Sequence, residues 1–452
     1  MNKKEIKNSS RYLAMEVLEK IELENTYSNL LLREVIDNHS LTKEDKNLLT
    51  ELVYGVLQRK YTLDYQLDPF IKKQKKMQNW VRQLLRLSLY QMEYLDRIPN
   101  HAIVNEAVNI ARIKGHQGIS GLVNAVLRNI IRKGVLNPKE IKDKKKQISI
   151  EYSLPMWLVE EFIKDLGLEE TIKLARSFNE RPKLSMRVNT DKILREEAIE
   201  RLENESYKAE KSEISPFGIT ISNGIPADST LFKEGLISVQ DESSMLVAPA
   251  LNVSPDDYVL DACAAPGGKA MHIASNFLSK DEGGKVQALD IHQHKINLIY
   301  QNVNRQGLKG LVQAKKMDAR NLEDEFAEGT FDRVLVDAPC SGLGLIRRRP
   351  EIRYTKSKKD IEALAKLQLE IINQAAKVLK KNGELVYSTC TLTKNENQSL
   401  VEKFLKENQE FEQIKVDLDN ENLKLDQDGS ITLYPHQYQT DGFFISRFKK
   451  KA

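Results

Sequence analysis

Val334-Leu335-Val336-Asp337-Ala338-Pro339-Cys340-Ser341-Gly342 is an apolar run that ends on an acid, a proline, a cysteine and a glycine. Fifty residues on, Gly383-Glu384-Leu385-Val386-Tyr387-Ser388-Thr389-Cys390-Thr391 repeats the scheme. A short, continuous apolar run closed by turn residues is the signature of a strand buried on both faces. Each stretch therefore reads as a β-strand that delivers a cysteine to its C-terminal end. In open α/β sheets that edge is where ligands bind. The third and last cysteine, Cys263, ends another such run, Tyr258–Cys263.

The surrounding pattern supports an α/β domain over residues 246–452. Strands are predicted at Tyr258–Cys263, Lys285–Ile291, Val312–Asp318, Asp332–Ala338, Gly383–Cys390, Ile431–Tyr434 and Phe443–Phe448. Helical periodicity fills most of the gaps, near Gly268–Leu278, Gln293–Gln306, Asp360–Leu379 and Lys394–Asn408. Strands alternating with helices favour a doubly wound, mostly parallel sheet. The last two strands have no helix between them, as an antiparallel edge hairpin requires.

The rest of the chain has a different grain. Residues 10–135 carry apolar residues at helical spacing throughout, enough for a bundle of about six helices. A Lys-rich stretch with Lys142 and Lys144-Lys145-Lys146 reads as a solvated connector. Residues 150–245 are mixed, with a strand at Pro182–Thr190 and shorter candidates near 218–222 and 236–240. The expected organisation is an all-α bundle over 1–140, a small α+β linker domain over 150–245, and the α/β domain.

Composition narrows the setting. The chain of 452 residues is 40% hydrophobic and 30% charged, with net charge +4. Residues 1–150 hold 27 Lys+Arg against 17 Asp+Glu, a net +10, which leaves 42 against 48, or −6, for the remainder. A basic front on a mildly acidic body suggests a polyanionic partner. No apolar run reaches membrane-spanning length, and no charged-then-apolar leader opens the sequence. Three cysteines without metal spacing predict neither a disulfide framework nor a metal site. A cytoplasmic monomer is expected.

The first strand-to-helix turn of the α/β domain is Asp261-Ala262-Cys263-Ala264-Ala265-Pro266-Gly267-Gly268-Lys269. Small residues let a ligand approach the backbone, and a helix start presents free N–H groups. The loop matches neither the dinucleotide nor the Walker spacing. Asp290 ends the second strand, where a carboxylate can accept ribose hydroxyls. Asp318 ends the third, where it can take an adenine amino group or simply cap a helix. A nucleoside cofactor without phosphate machinery points to S-adenosylmethionine. Cys263 reads as a small buried residue, and His292 and His294 as surface residues.

Two resemblances sharpen this. Leu52–Leu57, Ile98–Val108 and Gly121-Leu122-Val123-Asn124-Ala125-Val126-Leu127-Arg128, most specifically Asn124 to Arg128, resemble NusB-like RNA-binding domains. The Cys263–Lys269 loop (Cys263, Ala264, Ala265, Pro266, Gly267, Gly268, Lys269), Asp337–Gly342, Ser388-Thr389-Cys390 and the tail Asp441-Gly442-Phe443-Phe444 resemble the motifs of RNA (cytosine-5) methyltransferases. Together they place the chain with the RsmB/Fmu (Sun) family, whose catalytic domain is a Rossmann-like, class I SAM-dependent methyltransferase.

The resemblance implies methylation of cytosine C5 in small-subunit (16S) ribosomal RNA, free or in an assembly intermediate. It makes Cys390 the nucleophile that adds to C6 and Cys340 the residue that assists proton removal and adduct release. Asp337 would contact cytosine N3 in protonated form, in a desolvated pocket, and would also line the cofactor site. RNA contacts are expected from Arg187, in Arg187-Val188-Asn189, and from Arg347, Arg348, Arg349 and Arg353. The competing readings are a non-catalytic NusB-like RNA-binding or assembly factor, and the same reaction on tRNA or 23S rRNA. DNA methylation is disfavoured by Cys390.

Overall fold

A computed structural model describes residues 3–24, 26–72 and 77–452. Two compact units emerge. One comprises residues 1–180 together with 346–356, the other 181–345 with 357–452.

The first unit is helical. Its bundle helices are Ser10–Glu24, Ser28–Asn38, Lys43–Gln58, Lys60–Leu67, Asn79–Tyr94, Asn100–Lys114 and Gln117–Lys133. In Lys43–Gln58 the residues Leu49, Leu52, Val53 and Val56 recur on one face, and all four are buried. Thr42 starts that helix by accepting a hydrogen bond from the Asp45 N–H at 3.1 Å. Gly55 is required there: a Cβ would lie 2.0 Å from the Tyr90 ring of Asn79–Tyr94. Buried charge is paired. Arg86 donates to Glu22 Oε2 at 2.7 Å and to Asp64 Oδ2 at 2.7 Å.

The Lys-rich connector is not irregular. A 3₁₀ turn, Pro138–Glu140, precedes the helix Lys144–Glu151, which Asp143 caps by accepting from the Lys146 N–H at 2.8 Å. The lysine run that reads as linker thus becomes a helix because an Asp stands just before it. The helices Met156–Leu166 and Leu168–Ser177 also belong to this unit.

The second unit holds two sheets. Strands β1 Leu184–Val188, β2 Ala209–Lys211, β3 Gly218–Ile221 and β4 Ile237–Val239 form an antiparallel sheet in the order β2-β3-β1-β4. Then follow β5 Tyr258–Asp261, β6 Lys285–Asp290, β7 Val312–Lys316, β8 Phe331–Asp337, β9 Leu379–Thr389, β10 Phe411–Ile414, β11 Ile431–Leu433 and β12 Phe443–Lys450. Their order is β10-β12-β9-β8-β5-β6-β7, with β11 paired to β12. β9, β8, β5, β6 and β7 run parallel, as the strand–helix alternation predicts.

The expected edge hairpin needs correcting. β11 and β12 do pair antiparallel, but β12 lies between β9 and β10 and is not an edge. The short polar strand Phe411–Ile414 has too little apolar character to be read from sequence. Val334, Leu335, Val336, Leu385, Val386 and Tyr387 are all fully buried, so both cysteine-bearing strands sit in the middle of the sheet.

Candidate active site

β8 and β9 are adjacent and parallel, with Asp337 registered against Ser388. That register carries Cys340 and Cys390 out of the same edge, and their Sγ atoms stand 3.1 Å apart. The contact pushes the Cys340 thiol well above its ordinary pKa, and burial and the nearby Glu396 add to the effect. Either thiol can donate to the other across this contact.

The loops are knitted at backbone level. The Gly344 N–H donates to the Cys390 carbonyl at 2.9 Å, and the Gly442 N–H donates to the Gly344 carbonyl at 2.9 Å. A Cβ at Gly344 would lie 1.9 Å from the Gly442 oxygen. Glycine at 344 and 442 is what lets the tail before β12 close against both cysteine turns.

Asp337 is anchored by two neighbours. Its Oδ2 accepts from the Lys269 ammonium at 2.7 Å and its Oδ1 from the Ser388 hydroxyl at 2.9 Å. A lysine from the small-residue loop thus reaches across to it. Lys269 also lies 5.0 Å from the Phe443 ring centroid. One cation thus ties the small-residue loop, the Pro-Cys turn and the start of β12 together.

The small-residue loop has the character of a cofactor cradle. Gly267 adopts φ +103° and starts the helix Gly268–Asn276 with no side chain capping its first N–H groups. Asp261, the last residue of β5, is fully buried, and neither oxygen makes a well-formed hydrogen bond within the protein. Burial and the neighbouring Asp337 push its carboxyl up to about 7, against weaker pulls from Lys269 and the Cys263 N–H. A buried acid this sparsely hydrogen-bonded, beside an uncapped helix start, keeps acceptor capacity for a further donor. Burial and the carboxylates Asp261, Asp337 and Asp290 push the Cys263 thiol well up, so it stays a neutral filler.

Asp290 is buried and accepts from the His292 N–H at 2.9 Å, with the Lys295 ammonium 3.4 Å from its other oxygen. Its oxygens keep lone pairs for a further donor. Asp318 caps the turn Ala319–Asp324 and accepts from the Arg320 N–H and guanidinium, which hold its carboxyl below the usual range. The capping reading of Asp318 is thus realised in the structure.

Of the five arginines expected to meet RNA, Arg187, Arg347 and Arg353 are buried. Arg187 on β1 is 1% exposed and donates to Ser275 Oγ at 3.0 Å, Asn276 Oδ1 at 3.2 Å and Gln306 Oε1 at 3.2 Å. It fastens the small sheet to the helices Gly268–Asn276 and Gln293–Gln306. Burial and the nearby Arg305 pull its pKa down to about 9. Arg353 is fully buried in the helical unit, donating to the carbonyls of Tyr152 at 2.9 Å and Phe178 at 3.2 Å and to Asn179 Oδ1 at 3.1 Å. Arg347 is also buried. Arg348 and Arg349 are half-buried, the latter 5.4 Å from the Tyr27 ring centroid. Arg187, Arg347 and Arg353 are interior side chains because the fold's own oxygens and packing take them up.

Sequence reading missed Glu396. This fully buried carboxylate accepts from groups following both cysteines: the Ser341 N–H at 2.8 Å, Ser341 Oγ at 2.6 Å and Thr391 Oγ1 at 3.2 Å. Among the described residues no cluster suited to a metal ion is present, and no helix is long and apolar enough to cross a membrane.

Residues 248–449 match the family model "16S rRNA methyltransferase RsmB/F", residues 8–132 match the NusB family, and residues 154–228 match an RsmF/B-like ferredoxin-like domain. The chain is 45% identical over 449 residues to a probable ribosomal RNA small subunit methyltransferase B of Bacillus subtilis, covering 99% of this chain and 100% of that one. A ribosomal RNA small subunit methyltransferase B of Shewanella oneidensis is 32% identical, covering 91% of this chain and 92% of that one. Among solved structures, PH0851 superposes with TM-score 0.82 at 28% identity, covering 100% of this chain and 99% of that one. NSun6 of Pyrococcus horikoshii, solved with SFG, superposes with TM-score 0.58 at 25% identity, covering 65% and 97%.

Proposed function

Since the chain belongs to the RsmB/F methyltransferase family, with a NusB domain at its front, we propose that it methylates C5 of a cytosine in small-subunit ribosomal RNA through a covalent Cys390–C6 adduct. The observation that carries the reading is the pair of thiols 3.1 Å apart on one sheet edge, beside the small-residue loop. The Cys263–Lys269 loop, Asp261 and Asp290 would hold S-adenosylmethionine, which would supply the electrophilic methyl group. Asp318 keeps lone pairs for an adenine amino group.

Cytosine C5 is a weak nucleophile, so a thiolate must first add at C6. Cys390 does this, and the electron pair displaced from the C5–C6 bond makes C5 nucleophilic. Asp337, braced by Lys269 and Ser388, faces the N3 edge, and the Lys269 ammonium offsets negative charge arriving on the ring. After C5 is alkylated, its proton leaves to a base assisted by Cys340. The C5–H electrons restore the double bond and the Cys390–C6 bond breaks. Cys340, which keeps its proton at rest, hydrogen-bonds the departing sulfur. The target base must leave its stack to reach this edge.

The test is nucleoside analysis of hypomethylated small-subunit rRNA, naked and in particles, after incubation with the protein and methyl-labelled S-adenosylmethionine. The expected product is 5-methylcytidine. Label in any other nucleoside, or in none while the cofactor binds normally, overturns the proposal.

A further inference from the structure

Glu396 lies six residues beyond Cys390, just ahead of the helix Gln398–Glu407. Besides Ser341 and Thr391, its oxygens accept from Thr393 Oγ1 at 2.9 Å and Gln368 Nε2 at 3.0 Å. Gln368 also donates to the Pro339 carbonyl at 2.9 Å, from the residue before Cys340. Asn397 completes the bracket around Cys390: its Oδ1 accepts from Thr389 Oγ1 at 2.6 Å and its Nδ2 donates to the Thr391 carbonyl at 3.1 Å. The Glu396 carbonyl is itself held by the Tyr387 hydroxyl at 2.7 Å.

One buried carboxylate therefore gathers donors from the turn after Cys340 and the turn after Cys390. Every one of those donors is neutral. A carboxylate is the strongest acceptor a side chain offers, and a buried one holds its donors more tightly than an amide does. The two turns leave separate strands, so β8–β9 pairing fixes them only as far as Asp337 and Ser388. Beyond that point the turns are tied by the Ala338 N–H to the Ser388 carbonyl and the Gly344 N–H to the Cys390 carbonyl (both 2.9 Å), by Ser341 Oγ to Thr391 Oγ1 (2.7 Å), and by the shared Glu396 carboxylate.

We propose that Glu396 is a positioning residue that locks the Cys340 and Cys390 turns in register and so sets the thiol–thiol distance on which adduct expulsion depends. The expulsion part rests on the cytosine-C5 reading; the register part does not. A misplacement of about 1 Å at a reacting centre costs on the order of 100-fold in rate. Glu396→Ala removes the carboxylate shared by both turns and leaves only the Ala338–Ser388, Gly344–Cys390 and Ser341–Thr391 bonds between them. Glu396→Gln keeps the Oε1-side acceptor for the Ser341 N–H and Gln368, and turns its amino group to hydroxyls that can rotate to accept, so it restores part of the tie.

The full-length protein is treated with diamide, and formation of the Cys340–Cys390 disulfide is timed by peptide mapping. Two thiols lose two electrons and two protons, and the diazene takes them up as a hydrazine. Glu384→Gln serves as the control, since it breaks a buried pair with Arg447 (Nε to Oε2 2.8 Å) on β9 and β12, away from the turns. Expected is a tenfold or greater slowing in Glu396→Ala, an intermediate rate in Glu396→Gln, and a wild-type rate in Glu384→Gln. In methyl transfer, kcat falls in the same order while KM for S-adenosylmethionine holds.

A wild-type cross-linking rate in Glu396→Gln together with wild-type adduct expulsion overturns the proposal, as does equal slowing in Glu384→Gln. Should Glu396→Ala not fold, the Gln variant against this control decides. The cross-linking arm uses neither RNA nor cofactor. Failure there strikes the positioning role, whereas absence of 5-methylcytidine from the wild-type reaction strikes the function.

Discussion

Cys340 and Arg347 stand seven residues apart, yet the structure uses the two stretches in opposite ways. The cysteine closes a buried parallel strand and faces a second thiol across the sheet edge. The arginine run that follows folds into the helical unit, where Arg347 and Arg353 are buried. The lesson concerns what fixes a side chain's destination. A strand end in a parallel sheet has one possible edge, so chemistry placed there is placed by topology. A cationic run has no such constraint, because water, phosphate or the protein's own carbonyls can all accept its donors.

The comparison breaks most visibly at the cysteines. Cys390→Ala is expected to lower methyl transfer by about 10⁴-fold or more, since no other thiol is left to attack from that position. Retention of more than a trace of turnover in a radiolabel assay would move the nucleophile elsewhere. At the arginine run the effect falls on stability. Arg353→Met leaves several buried carbonyls without donors and is expected to cost the helical unit about 3 kcal/mol. Denaturant unfolding reads that loss. If the variant instead keeps its midpoint and loses RNA affinity with a shallower salt dependence, Arg353 is a phosphate contact after all.

The two units also respond oppositely to pH. In the helical unit Arg86 and Lys60 outweigh the upward push of burial and hold the Glu22 carboxyl down at about 2, from an ordinary 4.5. That pairing stabilises the fold above pH 4.5 and is lost as pH falls toward 2. Asp261 runs the other way. Its folded value near 7 exceeds the ordinary 3.8, so its contribution is whole below 3.8 and is lost as pH rises to about 7. Relative to Asp261→Asn, the wild type should weaken across that window, and relative to Glu22→Gln it should weaken on acidification from 4.5. Urea midpoints measured from pH 3 to 8 test both signs.

The smallest effect sharpens the arginine side. Arg349 is half-buried over Tyr27, and removing it by Arg349→Ala should cost only about 0.5–1 kcal/mol. A cost as large as that of Arg353 would show that the whole run is structural.

Legibility in the sequence follows the same division. The parallel strands, their order of chemistry and the small-residue loop were readable because long apolar runs and glycine placement are local signals. β10 was not readable, since Phe411-Glu412-Gln413-Ile414 is ordered by pairing with β12 rather than by its own pattern. Asp318 was ambiguous between cap and ligand contact, and the cap with its Arg320 partner two residues later emerges only in the fold. Glu396 left no trace at all: its donors arrive from Ser341, Gln368, Thr391 and Thr393, and only the folded sheet edge brings them together.

The division of labour between the two thiols is tested most directly by isolating the covalent protein–RNA adduct from Cys340→Ala and mapping its linkage. The account predicts accumulation of an adduct through the Cys390 sulfur, and none from Cys390→Ala. An adduct that accumulates instead in Cys390→Ala, linked through Cys340, would contradict it.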